Sequence, residues 1–188
     1  NIIASVQMSL FNNQLARFGG DTAISVMGVI MSFNMIWIMP VIGISQGMQP
    51  IVGYNFGARR FDRVKKTLFL ANIAATVMSV VFFIFIQLFP EYIFRLFISN
   101  SDSDIIPVGV SAIRRFMILL PCVGAMVLTG NYFQFTGRPK VSLALTIIRQ
   151  VGFLIPSLLI LPEYLGLNGI WYAMPTSDGG ALLLTFFF

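Results

Sequence analysis

The chain has 188 residues, of which 57% are hydrophobic and 10% charged, against roughly 25% charged in an ordinary soluble domain. A soluble domain of this size has too little interior to hide that much apolar surface, so lipid is the solvent for most of the chain. The absence of histidine excludes a Ser-His-Asp triad and His-based zinc sites, the lone Cys122 excludes an internal disulfide, and in such a chain the net charge of +5 bears on membrane orientation before nucleic acid.

A helical span needs about 20 mostly apolar residues. Six segments meet or approach this, and none alternates as a barrel strand would. The expected fold is therefore all-α, a polytopic membrane bundle of six transmembrane helices. The first segment, Asn1 to Ala16, begins already apolar and without a Met, and the chain stops within the apolar "LLLTFFF". Both ends read as cut from a longer protein. The second segment runs from Thr22 to about Tyr54 and carries no charge. In it Met27, Met31, Met35 and Met39 recur every four residues around Asn34. This stripe suits either the core of the bundle or an adaptable binding surface.

The second segment ends in "GISQGMQPIVGYNFGARRFDRVKK", Gly43 to Lys66. Gly43/Gly47 and Gly53/Gly57 are two small-xxx-small pairs, which let helices approach closely in lipid. Pro40 and Pro50 weaken the hydrogen-bond ladder. The third segment, Thr67 to Phe89, leads to the polar "SNSDSD". The fourth, Ile105 to Phe135, carries Arg114 and Arg115 near one end, where their side chains would snorkel. The fifth, Val141 to Leu161, follows "GRPK" and holds Arg149. The sixth, Leu167 to Phe188, follows "PEYLG" and holds Asp178.

Basic and acidic loops alternate along the chain. Arg59, Arg60, Arg63, Lys65 and Lys66 share one loop, and Arg138 and Lys140 another, whereas Asp21, Asp102, Asp104 and Glu163 fall in the others. The positive-inside rule makes the two basic loops cytoplasmic. Arg17 and Arg95 stand on the wrong side, each four residues from an acid, Asp21 and Glu91. Tyr164, Trp171 and Tyr172 fall where an outer aromatic belt would lie.

Ionisable groups inside a membrane are costly and mark function or internal pairing. Arg149 lies nine residues beyond Lys140 and Asp178 eleven beyond Leu167, so both fall near mid-depth on consecutive antiparallel helices. An intramembrane charge pair is expected, as glue within the bundle or as a ligand site. Arg115 is an alternative partner for Asp178.

"GGDTAISVMG", then "P-x-x-G-x-x-Q-G-x-Q-P-I-x-G-Y-N-x-G-A" before a basic loop, resembles the start of the C-terminal half of multidrug and toxic compound extrusion (MATE) transporters. "YFQFTGRPK", "RQVGFLIP" and "LPEYLGLNGIWYAMPTSD" agree with later stretches of that half. Family members have two six-helix lobes, so the resemblance implies that residues 1–188 are the C-terminal lobe, helices seven to twelve with both ends truncated. It implies no enzyme but part of a cation-coupled efflux antiporter, which exports drugs or toxic organic cations by alternating access. The partners it implies are membrane lipid and the missing N-terminal lobe, with no nucleic acid. The expected location is the cell membrane, multi-pass, in the bacterial inner membrane.

No cofactor is implied. The coupling Na+ or H+ is expected in the N-terminal lobe, because the acids that some relatives carry on the seventh and tenth helices are missing here. Asn34, Met31, Met35 and Gln7 are the expected substrate contacts. Gly43, Gly47, Gly53 and Gly57 would pack a cytoplasmic gate, although close packing within the bundle also accounts for them. A lipid-linked oligosaccharide flippase of the same superfamily is the alternative. It calls for a more basic cavity, and "QGMQPIVGYN" argues against it.

Overall fold

The computed structural model describes residues 2–98 and 105–185; "SNSDSD", with Asp102 and Asp104, lies outside the described residues. Among the described residues every regular element is helical. The first, α1 (Ile2–Gly57), spans 56 residues and is broken at Gly20, where φ is 60° and ψ −157°. That backbone region is essentially open to glycine alone, so one residue turns the chain. The expected polar loop "RFGGD" is therefore a one-residue kink between two helical arms. The second arm's core face repeats Val26, Ile30, Phe33, Trp37, Val41, Ser45, Met48 and Val52, all buried, with the three- and four-residue steps of one helix face.

A tight turn at Ala58 to Arg60 leads into α2 (Phe61–Leu88). Arg59 takes φ 57°, the Arg60 amide donates to the Asn55 carbonyl at 2.8 Å, and the Arg59 amide donates to Phe56 at 3.0 Å. This is the two-bond Schellman closure of a helix end. Gly137, at φ 75°, repeats it after α5, with Arg138 donating to Phe133 and Gly137 to Gln134. Beyond α2 lies the short α3 (Pro90–Phe97).

The expected fourth span is two helices, α4 (Ile105–Phe116) and α5 (Leu120–Phe135), bent by 50°. Pro121 stands in the first turn of α5, where its missing N–H costs nothing, and the non-helical residue ahead of that turn is Leu119, at φ −95° and ψ 9°. The fifth span is continuous through α6 (Pro139–Ile147), a π-helical segment (Ile148–Leu154) and α7 (Ile155–Leu165). The Ile155 amide donates to Gln150, five residues back. Pro156 offers no N–H and its ring crowds the carbonyl of Gly152, so the helix widens ahead of it. The last element is α8 (Leu167–Thr185).

The main core joins both arms of α1 to residues of every later element except α6. A second cluster ties Met48 and Val52 to Val64, Ala71, Ala75 and Leu128. Outside these, α2 presents Phe69, Leu70, Val77, Val81, Ile84 and Leu88 outward. By length and composition three described helices suffice to cross a membrane, or four with the bent pair as one span. The six-span count is thus met in part: α1 supplies two arms, and α8, with Asn168, Thr176, Ser177 and Asp178, is not among the spans that qualify.

Candidate functional site

Arg149 sits in the π-helical segment and Asp178 on α8, with Arg149 Nη1 3.4 Å from Asp178 Oδ1. The Asp178 side chain is 12% exposed and that of Arg149 30%. The Ser177 hydroxyl donates to the Arg149 carbonyl at 2.8 Å, so the backbone of Arg149 is fixed to the helix that bears its partner. The side-chain contact itself is longer than the 2.7–2.9 Å of a strong charge-assisted hydrogen bond.

Two cavities meet at this pair. One, about 240 Å³, is lined by Asn34, Trp37, Phe116, Met117, Met174, Asp178 and Arg149. The other, about 210 Å³, lies between α5, α6 and α8 and is lined by Thr129, Asn131, Gln134, Ser142, Thr146 and again Arg149. Its polar groups bond one another or a neighbouring helix. Asn131 donates to Ser45 Oγ at 2.7 Å, Gln134 donates to Ser142 Oγ at 3.0 Å, and Thr146 donates to the Ser142 carbonyl at 2.9 Å.

The structure brings Asn34 into the same cavity as Asp178, which sequence spacing does not reveal. It does not bring the methionines there together. A four-residue step advances about 40° past a full turn, since a turn holds 3.6 residues. The stripe therefore rotates off the core: Met27 is buried, Met31 half-buried, and Met35 and Met39 each 61% exposed. Gln7 lies on the first arm of α1, and its buried Nε2 has no partner among the described residues. Gly43, Gly47, Gly53 and Gly57 are exposed, and a Cβ built on any of them meets no atom within 4 Å. Close packing within this bundle is therefore not their role, because Ser45, Met48 and Val52 hold the core-facing side of that helix.

The remaining cations follow the sequence expectation only in part. Arg17 pairs with Glu163 at 2.7 Å rather than with Asp21, because the Gly20 kink sets the end of the first arm beside α7. Arg95 does meet Glu91, at 3.8 Å. Arg114 donates to the Gln87 carbonyl at the end of α2 at 3.0 Å. Arg115 donates to Asn168 and lies 5.7 Å from the Tyr172 ring, so it is not the partner of Asp178. Trp171 is 1% exposed in the main core, which removes it from any aromatic belt. Sequence reasoning also misses Trp37, whose Nε1–H donates to Ser79 Oγ at 3.1 Å while its ring lines the cavity. Its spacing of three from Asn34 was the available signal.

The MatE family model matches residues 1–159. The chain belongs to the MatE family. The MATE resemblance read from its motifs is thereby met. Among curated MATE relatives, the multidrug export protein MepA of Staphylococcus haemolyticus (strain JCSC1435) is 24% identical over 188 residues, 99% of this chain and 40% of that protein. MepA of Staphylococcus aureus (strain MSSA476) is 26% identical over 167 residues, 88% of this chain and 36% of the relative. Among solved structures, MATE in complex with MaL6 superposes with a TM-score of 0.91 at 25% identity, covering 99% of this chain and 42% of that one. The MATE multidrug transporter DinF-BH, also solved as a complex, gives 0.80 at 38% identity, covering 98% and 43%. The chain thus spans less than half the length of the MATE proteins it matches.

Proposed function

We propose that this chain is the C-terminal lobe of a multidrug exporter that moves organic, often cationic, compounds out of the cell by alternating access, coupled to Na+ or H+. Membership of the MatE family supports the reading, as does the share of each relative that the chain covers, 36–43%. The observation that carries it is the outward side of the second arm of α1. There Gly43, Gly47, Gly53 and Gly57 form a smooth face, on which a Cβ built at any of them meets no atom within 4 Å. Such a face fits a second lobe that closes on it in one state and parts from it in the other. Asn34, Met31, Met35 and Gln7 remain the proposed substrate contacts, with the bacterial inner membrane as location and the coupling ion in the other lobe. The flippase alternative is not favoured by the relatives.

The full-length protein, expressed in a drug-sensitised bacterial host, should lower ethidium accumulation, and collapse of the ion gradients should abolish that effect. Residues 1–188 expressed alone should leave accumulation unchanged, since an alternating-access cleft needs both lobes. Efflux by the lobe alone, or efflux by the full chain that survives collapse of both gradients, would overturn the reading.

A further inference from the structure

We propose that the Asp178 cavity is a binding site for a flat amidinium or guanidinium cation joined to an aromatic ring, and that Arg149 is its tethered competitor. The inference rests on the transporter reading above and assigns a site to this lobe. Four features of the cavity carry it. A carboxylate, Asp178, lies in its wall. Trp37 and Phe116, both buried, also line it and suit a planar cation and its ring. Met117 and Met174 supply adaptable apolar surface around these. Asn34 adds an amide that can accept from a second N–H of the ligand.

The occupant already present is a guanidinium, that of Arg149. Its contact to Asp178 runs through one nitrogen at 3.4 Å, whereas arginine–carboxylate pairs are frequently bidentate and shorter. The pair is therefore held below its optimum, and a ligand that reaches Asp178 bidentately can replace it. Arg149 also has somewhere to go, because it lines the neighbouring cavity as well. There Asn131 and Gln134 each donate through the amide nitrogen and keep a carbonyl oxygen as acceptor. The Ser177 bond holds the Arg149 backbone during such a swing. A metal cation fits this site less well. Among the described residues no cluster of three His, Cys, Asp or Glu exists to hold one.

A competitor and a ligand make opposite predictions for one residue. The test uses the purified full-length protein in lipid nanodiscs and benzamidine as probe, with binding followed by titration calorimetry. Benzamide, equal in shape but uncharged, is the control. Asp178→Asn should weaken benzamidine by about tenfold or more, because the charge-assisted bonds are lost. Arg149→Gln should tighten it by about tenfold, because the carboxylate no longer has to be released by its own cation. Benzamide should bind weakly to all three proteins. Arg149→Met, which keeps the volume of the stem, serves where Arg149→Gln does not purify as a monodisperse protein. An affinity that falls or stays unchanged on removal of Arg149 overturns the inference, as does benzamide binding as well as benzamidine. Wild-type protein that exports ethidium yet does not bind benzamidine also overturns it while leaving the transporter reading intact. Wild-type protein that exports nothing strikes the reading beneath it.

Discussion

Arg149 and Asp178 set the electrostatics of the interior. Taking one charge of a buried pair away leaves the other without compensation, which costs about 3–5 kcal/mol when both are fully buried. Here the side chains keep 30% and 12% of their exposure and face cavities, so water screens part of that cost. Asp178→Asn should lower the stability of the full-length protein by about 1–3 kcal/mol, read as a lower melting temperature in detergent. Arg149→Gln together with Asp178→Asn should recover part of the loss, because no uncompensated charge remains. A double mutant whose loss is the sum of the two single losses would show that the pair is not coupled. The Arg17–Glu163 pair is different. It is shorter, at 2.7 Å, but its side chains are 60% and 52% exposed, and exposed pairs contribute about 0–1 kcal/mol. Glu163→Gln should shift the melting temperature little. Burial, and not the length of the contact, is expected to rank these two pairs.

Among the helices, glycine divides into two populations that sequence alone presents as one. A Cβ at Gly124 on α5 would lie 2.6 Å from Ser79 Oγ and 3.1 Å from the Ala75 carbonyl oxygen, and one at Gly169 on α8 would lie 2.6 Å from the Pro162 nitrogen. Backbone atoms cannot move aside, so Gly124→Ala and Gly169→Ala should each destabilise the full-length protein by about 1–3 kcal/mol. Gly43→Ala and Gly47→Ala meet no atom within 4 Å. They should leave the melting temperature unchanged or raise it, since alanine favours a helix by up to about 1 kcal/mol over glycine, and yet reduce ethidium efflux. Loss of stability with unchanged efflux in those two variants would place the glycines in the fold rather than at the closing face. Such glycine pairs were visible as a motif, but not their direction, because small-xxx-small spacing fixes a shared face and not which neighbour it meets. The Met stripe failed for a related reason: Met27 and Met39 differ by three steps of about 40° each, enough to carry one into the core and the other out of it. Helix identity and the Arg149–Asp178 contact were legible, since apolar length and residue counting depend on the chain alone. The Gly20 kink, the bend before Pro121 and the π-helical segment before Pro156 were not read, because a glycine or proline permits several distortions and tertiary packing selects one.

For the whole molecule, the two ends differ in how their charges are spent. A wide opening of about 530 Å³ is lined by Gln49, Pro50, Gly53 and Tyr54 near the end of α1 and by Gln134 and Phe135 at the end of α5. The basic turn after α1 and the "GRPK" turn after α5 therefore lie at one end of the bundle. Arg59, Arg60, Arg63, Lys65 and Lys66 make no ion pair there among the described residues. At the other end Arg17 and Arg95 are paired with acids, Arg114 is tied to a helix-end carbonyl, and Arg115 is held by Asn168 beside Tyr172. The wrong-side arginines of the sequence are thus neutralised or anchored, and the positive-inside rule predicts that the end with the unpaired charges faces the cytoplasm. In the full-length protein with Cys122 and every other native cysteine replaced, Arg60→Cys should react with a membrane-impermeant maleimide after permeabilisation alone. Tyr164→Cys, at a position 84% exposed beside Glu163, should react on intact cells. The reverse pattern would turn the lobe over in the membrane, and with it the glycine face of α1, which would then close on the outer side.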